Sequence, residues 1–152
     1  MEEKTTAMLD EELKGIKSEK ELEKFLGEIK ETNPEAMKYT PAIAYFRKIF
    51  NEKDMSYAKI ADNSCGAISD NYLGKIYRGD KTNPTREKWL AIACSMQLTV
   101  DETNRLLKLD GMKELYSKNS ADAIILFGLN NGLDFSAIIE VFESRGVECN
   151  FF

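Results

Sequence analysis

Again and again along this chain a serine, threonine, asparagine or aspartate stands just ahead of apolar residues spaced three and four apart. That arrangement is the local signature of a helix start, because the short polar side chain accepts from backbone N–H groups that have no partner inside the helix. Alternating apolar and polar residues, the sign of a half-buried strand, are almost absent, so the pattern predicts an all-α protein. Thr5 or Thr6 heads a first helix with Met8 or Leu9, Leu13 and Ile16 on one face. Ser18 with Glu21 forms a capping box for a second, carrying Leu22, Phe25, Leu26 and Ile29. "ETNPEAMKYTP" interrupts with two prolines and reads as a linker.

Beyond the linker, Thr40 and Pro41 open a helix lined by Ile43, Phe46, Ile49 and Phe50. Ser56 heads "SYAKIADNS", with Ile60 and Ala61 inward. Ser69 heads "SDNYLGKIYRG", and Thr85 heads "REKWLAIACSMQ", where Leu90, Ala93, Cys94 and Met96 or Gln97 alternate inward and outward and Trp89 is core or its edge. Thr99 and Glu102 make a further capping box, closed by Gly111. Asn119 or Ser120 heads a helix with Ile124, Ile125, Leu126 and Leu129, closed by Gly132. Asp134 heads the last, with Ile138, Ile139 and Phe142, closed by Gly146. These boundaries divide the 152 residues into an acidic helical arm (1–39), a central five-helix region (40–111) and a C-terminal helical extension (112–152). Phe151 and Phe152 either tuck against the last helix pair or stay available to a second copy.

The composition excludes several functions. The chain has no histidine, and its three cysteines, Cys65, Cys94 and Cys149, are widely separated. That leaves no basis for a disulfide framework and argues against a metal site or imidazole acid–base chemistry. No phosphate-cradling glycine motif or nucleophile elbow is present, so neither a catalytic residue nor a cofactor is expected. Cys65, in the turn before Ser69, is either a small buried hydrophobe or a redox handle. No run approaches the roughly 18 apolar residues of a membrane span, and "MEEKTTAMLDEEL" is acidic where a signal peptide is basic, which predicts a cytoplasmic protein.

Net charge is −5, but it is unevenly spread. Residues 1–39 carry 7 basic and 11 acidic side chains, residues 40–98 carry 9 and 6, and residues 99–152 carry 5 and 9. A basic middle between acidic flanks fits a localised anion-binding face.

The central region resembles the lambda-repressor-like helix-turn-helix domain of the Cro/cI or XRE type. The likeness rests on "SYAKIA" as the first motif helix, "ISDNYLGKIYRG" as the recognition helix with its terminal arginine–glycine, and "NPTREKWLAIACSMQLT" as the helix packed behind it. The flanks, "LKGIKSEKELEKFLGE" and "DETNRLLKLDGMKELYSKNSADAIILFGLNNGLDFSAIIEVFESRG", are similar to a group of small XRE-type proteins of Gram-positive, Clostridia- and Lachnospiraceae-like bacteria. One departure is the stretch "DNSCGAI" between Ala61 and Ser69, about two residues longer than the family's usual turn.

The resemblance implies a sequence-specific transcriptional regulator that binds double-stranded DNA as a homodimer, with half-sites about one helical turn apart. On a wheel of about 100° per residue, Leu73, Ile76, Tyr72 and Tyr77 share the inner side of the recognition helix. Asn71, Lys75 and Arg78 form an outward stripe, with Gly74 beside them. Asparagine suits adenine, lysine suits guanine or phosphate, and Gly74 is expected to let the backbone approach a groove wall. Ser69, Asp70 and Tyr72 complete that helix's candidate contacts; Ser56 and Tyr57, whose N–H groups and hydroxyls suit a phosphate, and Lys59 and Lys81 at the rim supply supporting ones. Either the arm or the C-terminal pair is available as dimer interface. The alternative is a protein-interaction adaptor or antitoxin-like partner, using the acidic arm or C-terminal helices.

Overall fold

A computed structural model of the protein describes residues 39–152; the two helices and most of the linker expected before residue 39 lie outside the described residues. Among the described residues there are seven α-helices and no strand: α1 Pro41–Glu52, α2 Tyr57–Asn63, α3 Asp70–Tyr77, α4 Arg86–Ser95, α5 Val100–Leu109, α6 Ser120–Asn130 and α7 Phe135–Arg145. Residues Pro41–Phe152 form one compact unit. The all-α expectation holds, and so do its local causes. Ser56, Ser69, Thr85, Thr99, Asn119 and Asp134 each accept a backbone N–H three residues on. The Thr99–Glu102 capping box is complete in both directions. Gly146 ends α7 at φ +65°, a left-handed conformation that side chains resist.

The core is organised around α4. Trp89 through Ser95 are all buried, because α2, α5 and α7 pack on different sides of this one helix. The inward–outward alternation expected for α4 is therefore corrected between Trp89 and Met96, where the enclosing neighbours leave no wet face, while Glu87 at its start and Gln97 beyond its end are exposed. Trp89 is fully buried, and its indole N–H donates to Asp110 Oδ2 at 2.8 Å, which satisfies the polar atom that burial removes from water. Phe46 of α1 meets its ring at 5.9 Å between centroids.

Polar side chains tie the segments that lack helical bonding. Arg86 reaches Asp122 through two nitrogens (2.8 and 3.1 Å) and also donates to the carbonyls of Lys113 and Glu114. Asp122 Oδ2 in turn accepts from the Tyr116 N–H at 3.0 Å, so the extended connection between α5 and α6 is ordered without helical structure. Phe151 is buried against Phe135 and Phe142, whereas Phe152 is exposed. Lys88 Nζ donates to the carbonyl oxygens of both Phe151 (3.2 Å) and Ala67 (2.9 Å), which joins the chain's last residues to the turn before α3.

Candidate nucleic-acid interface

The link between α2 and α3 is shorter than the sequence suggests. α2 continues through Asp62 and Asn63, leaving residues 64–69 between the helices, so the excess length expected of "DNSCGAI" is largely absorbed into helix. Ser64 makes the bend. Its Oγ accepts from the Ile68 N–H at 3.1 Å and lies 2.7 Å from the Ala61 carbonyl, while Asn63 Nδ2 donates to Ser95 O and fixes the end of α2 to α4. Cys65 (φ +54°) and Gly66 (φ +91°) take the left-handed conformations that reverse the chain. Cys65 is exposed there, which corrects the expectation of a small buried hydrophobe. Cys94 is the buried thiol, and burial together with nearby Cys149 pushes its pKa up to about 12.

α3 follows with Leu73, Gly74 and Ile76 buried. Asn71, Lys75 and Arg78 are exposed together with Ser69 and Asp70, so the outward stripe is a feature of the folded chain. Ser69 Oγ accepts from the Tyr72 N–H at 3.1 Å, and Asp70 places negative charge at the helix start, where the backbone dipoles favour it. Both residues thus stabilise the helix that carries the stripe. Ser56 likewise accepts from the Lys59 N–H at 3.2 Å. Each hydroxyl keeps its own proton to donate. Lys59 is exposed and Lys81 half-buried, the latter with its N–H bonded to Lys75 O. Tyr72 is half-buried, and burial raises its hydroxyl pKa.

Gly74 differs from expectation. It is buried, not outward, because two long side chains fold over it. A Cβ built there would lie 3.5 Å from Cε2 of Tyr57 and 2.9 Å from Nη1 of Arg78. Tyr57 is correspondingly a packing residue as well as a rim residue. Its ring lies 5.3 Å from that of Phe50 and 6.0 Å from that of Tyr77, and burial first, then Tyr77, raises its hydroxyl pKa against the lowering effect of Arg78 and Arg47.

Arg47 belongs to this surface although the sequence reading did not single it out. From α1 it donates through Nη1 to the Tyr77 carbonyl at the end of α3, and its guanidinium carbon sits 4.1 Å from the centre of the Tyr77 ring. The sequence signal was present in "YFRKIF", where an arginine follows the apolar face. Asp80, also unremarked, lies 3.3 Å from Arg78 Nε. The arrangement is thus an exposed row of an amide, an ammonium and a guanidinium on a short helix, held from below by aromatic packing. Such groups suit hydrogen bonding to base edges and phosphate oxygens.

Among the described residues no group of His, Cys, Asp and Glu is gathered as metal ligands, and no helix is long and apolar enough to cross a membrane. No family model, no curated protein and no solved structure matches the chain.

Proposed function

We propose that the protein is a sequence-specific DNA-binding transcriptional regulator of the lambda-repressor-like, XRE helix-turn-helix type, acting in the cytoplasm as a homodimer. The observation that carries this reading is the exposed row of Asn71 and Lys75 on α3 and Arg78 at its C-cap, on a helix whose opposite side is buried against α1 and α2. In this reading α3 enters the major groove, Asn71 and Lys75 face base edges, and Arg78, Lys59 and Lys81 face phosphates. The basic balance of residues 40–98, with 9 cationic against 6 anionic side chains, supports it.

Selection from a random duplex-DNA pool at low salt tests the proposal. The expected result is enrichment of a two-fold-related site, with Lys75→Ala or Arg78→Ala each weakening binding by about 5- to 100-fold and lowering the salt slope where a phosphate contact is lost. Failure to enrich any sequence sinks it. A second reading, a protein-interaction adaptor, is favoured by exposed Phe127 beside a recess of about 380 Å³ lined by Ala123, Ile124, Val141 and Val147. It predicts salt-insensitive binding to a protein and no effect of either α3 substitution.

A further inference from the structure

The Gly74 surface has a charge laid on it. An ideal Cβ at position 74 would be 2.9 Å from Arg78 Nη1 and 3.6 Å from Arg78 Cζ, so the guanidinium lies closer than a Cβ allows and any other residue there would push it aside. Tyr57 bounds the same space at 3.5 Å. The backbone beyond Arg78 then turns back: Gly79 takes φ +79°, and the N–H groups of Asp80 and Lys81 both donate to Lys75 O, at 2.8 and 3.1 Å. This wrap carries the Asp80 carboxylate to Arg78 Nε at 3.3 Å. Two independent features of local geometry, a missing side chain and a wrapped helix end, thus act on one cation.

We propose that Gly74 is a seat for the Arg78 guanidinium and that Asp80 is an internal, exchangeable carboxylate, displaced when a phosphodiester oxygen takes the arginine. The choice of ligand rests on the DNA-binding reading above. The pair is suited to exchange. Both side chains are more than half exposed, at 55% and 64%, so water and salt screen their attraction and a better-placed anion replaces it. The seat limits the orientations of a long side chain before binding, which reduces the entropy lost on contact. Asp80 adds discrimination. A free carboxylate gains little over the one already present, whereas a nucleic-acid phosphate also brings groups for Asn71 and Lys75. Gly74 and Asp80 are therefore positioning residues that act through Arg78.

A mutant cycle tests this, with affinity for the selected duplex measured at fixed salt and folding checked by circular dichroism. Asp80→Ala is expected to tighten binding by about three-fold, the worth of an exposed ion pair. Gly74→Ala is expected to weaken it by a similar factor, and both effects are expected to vanish in an Arg78→Ala background. Persistence of either effect without Arg78, or no effect with it, overturns the proposal. Exchange of the Arg78 Nε–H with water, followed by nuclear magnetic resonance in the free protein, reads the seat without DNA. It should be faster in both single variants than in the wild type, and equal rates in all three refute the seat. If no duplex binds but exchange follows the expected order, the regulator reading and the phosphodiester exchange fall together, while the seating of Arg78 on Gly74 stands.

Discussion

At position 74 an added methyl group meets the end of a flexible arginine, while at position 128 it meets something that cannot move. A Cβ on Gly128 of α6 would come within 2.4 Å of Ile138 Cγ1 and 2.7 Å of its Cδ1, and Ile138 is fully buried on α7. The two alanine substitutions therefore diverge in stability. Gly74→Ala changes the unfolding free energy by no more than about 1 kcal/mol, and toward stabilisation, because alanine is the better helix former. Gly128→Ala destabilises by about 1–3 kcal/mol through overpacking. Urea denaturation of the two variants checks this, and equal midpoints would contradict it. Neither environment was legible from the sequence. A helical wheel places Gly74 outside because it treats α3 as an isolated cylinder, whereas Tyr57 and Arg78 are long enough to cover it. Gly128 depends on Ile138, on a different helix, so no local pattern marks it as the crossing point.

Among the described residues, helix starts were the most legible feature, because a cap is decided within about four residues by groups adjacent in sequence. The Thr99–Glu102 box also reaches outside its helix, where Lys53 Nζ lies 3.3 Å from Glu102 Oε1. Burial pushes the Glu102 carboxyl upward, but the Thr99 N–H and the Lys53 ammonium outweigh it and hold the pKa below the ordinary 4.5. A lowered folded-state value means that the box's stabilisation is fully present above the unfolded carboxyl's range and is lost as pH falls through the folded value. Wild type should exceed Glu102→Gln by about 0.5–1 kcal/mol near neutrality, with the gap closing as pH falls through the lowered folded-state value. Thermal midpoints of both proteins from pH 3 to 7 measure it; a constant gap would assign the effect to shape and not charge. α4 shows the limit of reading by element. Its surroundings come from three separate helices, so its all-round burial is a tertiary property that periodicity cannot report.

Across the whole molecule, long-range polar ties join segments that the sequence left unconnected. The Arg86–Asp122 pair spans 36 positions, and nothing in the local sequence of either residue indicates the other. Asp122 is nearly buried and Arg86 about a quarter exposed, so removing the carboxylate leaves the guanidinium without its counter-charge, held only by the Lys113 and Glu114 carbonyls, and frees the Tyr116 N–H. Asp122→Ala should cost about 2–4 kcal/mol, allowing for Arg86's partial exposure, and should make residues 112–119 the first site of limited proteolysis. Unchanged cleavage would show that the connection is held by its apolar contacts alone. The exposed α3 row, by contrast, was legible before any of these ties were known, because outward position on an amphipathic helix needs only the helix's own period.

The setting of Trp89 has an optical consequence. It is the chain's single tryptophan, enclosed by α4's neighbours and bonded to Asp110, so all indole emission originates at the centre of the core. Emission from the folded protein should be blue-shifted and should move to longer wavelength only when the packing around α4 opens. Its coincidence with the loss of helical ellipticity would then establish whether the compact unit melts in one step.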